Sequence, residues 1–194
     1  MIPMSEYEFL SVGLLVASID AVRSVLKEEG FLPPPFGSAV GRFAPLNVYG
    51  GERTAGAKHP WRAVFYEPST SPGTTVMLSN LDDGWLSLLT RLSMRLPGQQ
   101  YRIRDALEVS DLYVLADGRC IRYVGVLLDD ARWTFSSRGA PLWFEEPQQY
   151  QRRRIRDRVD RDLLLRYARK LGWDLTDPRL LTTDREAIFA GQLD

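Results

Sequence analysis

The chain has 194 residues, with 25 basic and 25 acidic side chains, so it carries no formal net charge and no global field to gather nucleic acid. Hydrophobic residues make up 44% and charged residues 26%, a globular composition long enough to bury a core, which excludes wholesale disorder and fits one domain over 1–194. Cys120 and His59 are the only cysteine and histidine, leaving no internal disulfide and too few soft ligands for a zinc site, so no metal and no cofactor are expected.

The first element, "EYEFLSVGLLVAS", predicts a strand. Its apolar run is broken by Ser11, Gly13 and Ser18 and is too short for a membrane span, while Glu6 and Glu8 stand where a signal peptide would be basic. A cytoplasmic protein without membrane contact is therefore expected. "SIDAVRSVLKEEG" predicts a helix, with Ser18 as N-cap, Asp20 in the first turn, Gly30 at the close, and Ile19, Val22, Val25 and Leu26 on the apolar face. The Pro- and Gly-rich segment 31–60 is too long for a simple connection, which leaves a mobile stretch or a binding loop.

"WRAVFYEPS" and "TTVMLSNL" flank the turn "TSPG" as a hairpin. "DDGWLSLLTRLSMRLPG" repeats Trp85, Leu88, Leu89, Leu92 and Leu96 at helical spacing, and "QQYRIRDAL" adds a strand. The succession strand, helix, strand, strand, helix, strand is the ferredoxin-like split βαβ order, or another α+β sheet with helices on one face. "DLYVLADGRCIRYVGVLLDDARWTFSSRGAP" continues as an antiparallel meander turning at Asp117-Gly118 and Asp129-Asp130. A long helix is expected over 147–172, started by Pro147 and closed by Gly172, and a short helix over "TDREAIFAG". The fold class is α+β, an antiparallel sheet with helices packed on it.

No phosphate loop, dinucleotide fingerprint, nucleophile elbow or HExxH pattern is present. The acid pairs Asp82-Asp83 and Asp129-Asp130 read as a helix cap and a turn. Glu145 and Glu146, in "WFEEP", have no such local explanation and could serve as a carboxylate pair if they shared a pocket. Cys120, between arginines in a strand-like run, reads as a small buried hydrophobe.

Between Gln151 and Lys170 stand nine basic residues against three aspartates, so this stretch carries +6 and the rest of the neutral chain −6. Asp157, Asp160 and Asp162 each sit four residues from an arginine, a spacing for pairs along a helix surface, and each would repel phosphate. Ile155, Val159, Leu163, Tyr167 and Leu171 form a stripe for a core. A packed, internally paired helix is favoured over a nucleic-acid grip. Arg152, Arg153 and Arg154 are left as an anchor for an acidic partner.

Residues 78–176, from "NLDDGWLSLLTRLSMRL" through "RYVGVLLDDARWTFSSRGAPLWFEEPQQYQRRRIRDRV" to "LLLRYARKLGWDL", resemble small bacterial immunity proteins of polymorphic-toxin and type VI secretion systems. That resemblance implies a non-enzymatic inhibitor that binds a cognate toxin protein. Such an interface needs aromatic or arginine anchors. Phe36, Phe43 and Tyr49 on the long loop, Trp143, Glu145 and Glu146, and Arg152 to Arg154 are the candidates.

Overall fold

The computed structural model describes residues 10–31, 41–42, 62–79, 81 and 83–191. Among these, the elements in chain order are β1 (Leu10–Leu15), α1 (Ile19–Glu28), β2 (Gly41–Arg42), β3 (Arg62–Tyr66), β4 (Thr75–Ser79), α2 (Leu86–Arg95), β5 (Gln100–Ala106), β6 (Val109–Ala116), β7 (Arg119–Asp129) and β8 (Arg132–Arg138). Then follow two 3₁₀ turns (Pro147–Gln151 and Ile155–Arg158), α3 (Arg161–Lys170), a third 3₁₀ turn (Pro178–Leu181), β9 (Thr182–Thr183) and β10 (Ile188–Gly191). The protein is an α+β fold built on one eight-stranded antiparallel sheet.

The strand order is β10-β3-β4-β1-β5-β6-β7-β8. Its part β3-β4-β1-β5 is the split βαβ arrangement: β1 runs antiparallel to β4 on one side and to β5 on the other, and each helix crosses between non-adjacent strands. The meander β6 to β8 extends this unit beyond β5. β10 covers the opposite edge by pairing with β3.

Both faces of the sheet are covered, which is why every residue of β1 is buried. Leu10, Val12 and Leu14 point to one side, and Leu15 to the other, with the two-residue period of a strand. On the second side lie α1 and α2, which bury Ile19, Val22, Val25, Leu26, Leu88, Leu89 and Leu92 against Phe65 and Met77. Ser18 caps α1 by accepting from the Ala21 amide, and Arg91 and Arg95 of α2 pair with Glu29 at the end of α1.

The other face is covered by the chain after β8. Phe144, Tyr150, Val159, Leu163, Leu164, Tyr167 and Trp173 pack on Tyr101, Ile103, Leu112, Val114, Val124 and Val126. Each such side chain contributes about 1.5–3 kcal/mol on leaving water, so burial of these side chains holds the C-terminal layer on the sheet.

Two expectations are corrected. The helix foreseen over 147–172 is α-helical only over Arg161–Lys170. Asp160 stops it from beginning earlier, because its carboxylate accepts from the Leu163 amide at 2.8 Å as an N-cap, and the backbone at Arg152 and Arg154 is extended. In a continuous helix Arg152 would stand four residues from Arg156, and Arg154 four from Arg158, like-charge spacings that weigh against it. The short helix foreseen over "TDREAIFAG" is instead β10, because Ile188 and Ala190 enter the core with α1 and α2 while Phe189 packs on the opposite face.

Candidate functional site

The C-terminal layer is organised around a buried arginine. Arg122 stands in β7 in phase with Val124 and Val126, so the strand delivers its side chain into the core, with no exposure at all. A guanidinium there must find a partner for every donor. Its Nε and Nη2 donate to the two Glu145 carboxylate oxygens at 2.8 and 2.6 Å. Nη1 is shared by Ser137 Oγ at 2.8 Å and the carbonyls of Arg138 and Gly139 at 3.1 and 3.0 Å.

Glu145 also accepts from the Leu142 amide at 2.8 Å and from the Tyr150 hydroxyl at 2.6 Å. Tyr150 spends its single proton there, so the 2.8 Å contact between Tyr150 and Tyr167 takes its proton from Tyr167. Tyr167 in turn accepts from the Glu146 amide at 2.9 Å. Burial would raise the Glu145 carboxyl, but the hydrogen bonds from Arg122, Tyr150 and the Leu142 amide outweigh it and hold the group below the usual carboxylate range. Burial and the bond to Glu145 push the Tyr150 phenol far up, so it stays a neutral donor.

This network spends Glu145 on structure. Glu146 is drawn away to the surface side, where Lys170 Nζ at 2.9 Å and Arg166 at 3.2 Å hold its carboxyl low. The two glutamates therefore do not converge on one pocket. Their effect is to immobilise the segment from Gly139 to Glu146 between β8 and α3.

Trp143 projects from the middle of that segment. Its neighbour Phe144 is fully buried among Tyr101 and Tyr167, yet the Trp143 indole is 76% exposed, lying edge-on to the Phe144 ring at 5.7 Å. The segment thus holds a large aromatic in water on a backbone fixed from both sides.

At the β7–β8 hairpin end, the turn Ile155–Arg158 lies against β8 and builds a second surface. The Arg156 guanidinium stacks over the Trp133 ring at 5.4 Å, and Arg158 over Phe135 at 5.3 Å. Two hollows adjoin across the Trp133–Arg156 pair. One, of about 310 Å³, is lined by Asp105, Leu107, Val159 and Arg161 among others, and one, of about 380 Å³, by Arg132, Arg154 and Ile155.

The arginine triplet is divided by these contacts. Arg152 reaches the Asp160 carboxylate at 3.0 Å and the Asp157 carbonyl at 3.0 Å, Arg154 lies 3.7 Å from Asp157 and lines the second hollow, and Arg153 is exposed with no ion pair among the described residues. The pairs expected along a continuous helix give way to partners outside it: Arg161 with Asp105, and Arg166 with Glu146. Phe36, Phe43 and Tyr49 lie outside the described residues.

Arg122, Trp133, Arg132 and Arg156 were not foreseen as site residues. Arg122 was detectable, because an arginine in phase with two inward valines must be buried and must take a carboxylate. The Trp133–Arg156 stack joins residues 23 positions apart and leaves no local trace.

Burial lifts the half-buried Cys120 thiol above its ordinary pKa, which suits a packing residue. Among the described residues no group of three or more His, Cys, Asp or Glu is placed to hold a metal, and no helix is long and apolar enough to cross a membrane. Compared with known protein families, curated proteins and solved structures, the chain matches none.

Proposed function

We propose that this chain is a non-catalytic binding protein that docks a protein partner on its C-terminal face, and that the partner is a bacterial toxin domain which it neutralises. The observation that carries the binding reading is Trp143, an indole 76% exposed on a segment fixed by the Arg122–Glu145–Tyr150–Tyr167 network. An exposed aromatic on a rigid backbone loses little conformational freedom on association, and tryptophan is enriched among residues that dominate binding energy. Arginines 132, 153 and 156 stand on the same half of the chain without an ion pair among the described residues and suit steering of an acidic partner. The toxin as partner class rests on the resemblance of residues 78–176 to immunity proteins.

The test is co-expression with the products of the neighbouring genes, each assayed for toxicity on its own. A stoichiometric complex that restores growth is the expected result. Trp143→Ala should weaken that complex by about 2 kcal/mol or more while leaving the fold intact, because the side chain buries little in the free protein.

A further inference from the structure

We infer that the hollow between β8 and the turn Ile155–Arg158 is a receptor for an acidic protein segment that also carries a bulky apolar side chain. The occupant's class rests on the protein-binding reading; the site does not include Trp143 and is tested without it.

The charges around this hollow are unequal in availability. Asp105 accepts from Arg161 and Ser110, and Asp160 accepts from Arg152 and from the Leu163 amide, so these carboxylates are already used inside the chain. Arg132 and Arg156 form no ion pair among the described residues, and Arg154 has only a contact of 3.7 Å with Asp157. Three arginines thus line a hollow of about 380 Å³ that no acidic side chain lines among the described residues.

The contact with the Trp133 ring holds the Arg156 guanidinium at the hollow, where a carboxylate can bind such a fork through two parallel hydrogen bonds. The walls beside it are apolar: Ile155 in one hollow, Val159 and Leu107 in the other, with Leu107 77% exposed. A carboxylate on the arginines and an apolar side chain against this wall satisfy both. A nucleic-acid strand fits less well, because Asp105, Asp157 and Asp160 line the adjoining hollow and would face its phosphates.

The probe is the labelled peptide Glu-Glu-Leu-Glu-Glu-Leu, with Lys-Lys-Leu-Lys-Lys-Leu and oligothymidylate as comparators, followed by fluorescence anisotropy on the whole protein. Saturable binding of the acidic peptide is expected, with no binding of the lysine peptide. Arg156→Ala and Arg132→Ala should each weaken it by about three- to tenfold, whereas Arg119→Ala, which removes the same charge at the far end of β7 and outside the hollow, should weaken it by less than about twofold. Thermal melts confirm that each variant is folded, and Arg132→Ala carries the test alone if Arg156→Ala is not. Absence of peptide binding, equal losses in all three variants, or tighter binding of oligothymidylate with the same Arg156 dependence would each overturn the inference. A toxin complex that forms while the peptide fails to bind would remove this site and leave the proposed function standing. Peptide binding without any toxin complex would do the reverse.

Discussion

Arg122 and Glu145 meet inside the C-terminal layer through two hydrogen bonds, of 2.8 and 2.6 Å, with neither side chain exposed to solvent. Removing one member leaves the other as an uncompensated buried charge. Glu145→Ala is therefore expected to cost about 3–5 kcal/mol, read as a lower urea midpoint. The double change Arg122→Met with Glu145→Leu should recover much of that loss, since the apolar pair leaves no charge behind.

Glu145 and its neighbour Glu146 set an acid limit on stability. Glu145 and Glu146 both titrate below the usual carboxylate range in the folded protein, Glu145 because its hydrogen bonds outweigh burial, Glu146 because Lys170 and Arg166 donate to it. Their contribution is fully present above the ordinary carboxylate pKa of about 4.3 and is lost as pH falls through the depressed folded values. Urea midpoints measured from pH 7 downward should fall on the acid side. The fall should be shallower in Glu145→Gln, which has no charge there to lose.

A second buried cation behaves differently. Arg102, in β5, is 1% exposed and lies 2.8 Å from Asp111, which Arg104 also approaches at 2.7 Å. One carboxylate thus serves two guanidiniums, and Arg102 Nε and Nη1 find no acceptor among the described residues. Asp111→Asn should destabilise by about 3 kcal/mol or more, because it strands Arg102. Arg102→Met should cost far less, since Asp111 keeps Arg104 and the poorly satisfied charge is gone. Chemical denaturation of the two variants checks the ranking.

Gly139 allows the segment carrying Trp143 to leave β8. Its φ is +80°, and a Cβ there would fall 2.2 Å from the Ile121 carbonyl oxygen, while its own carbonyl accepts from Arg122. Gly139→Ala should cost about 1–3 kcal/mol from backbone strain alone, and more if the segment moves off Arg122. A thermal melt reads the loss.

The split βαβ core was legible because its signals are local: the apolar run of β1 bounded by Ser18, the Ser18 cap of α1, and the leucine spacing of α2. The C-terminal layer was not. The spacing of Ile155, Val159, Leu163, Tyr167 and Leu171 suits one long helix, but Asp160 is a better N-cap than an interior residue, and Arg152 and Arg161 find acids at Asp160 and Asp105. Tertiary partners thus overrode periodicity. Of the foreseen site residues, Trp143 is exposed as a binding anchor needs to be, while Glu145 is locked inside, because nothing local showed that Arg122 would face it across 23 positions.

The measurement that bears most directly on the proposed role is the affinity of the whole protein and of Trp143→Ala for any toxic product of the neighbouring genes, by isothermal titration with growth rescue in parallel. A tight stoichiometric complex is expected for the native chain, with a loss of about thirtyfold or more for the variant at unchanged melting temperature. No complex with any neighbouring product, or equal affinity and rescue for both proteins, would contradict the proposed role.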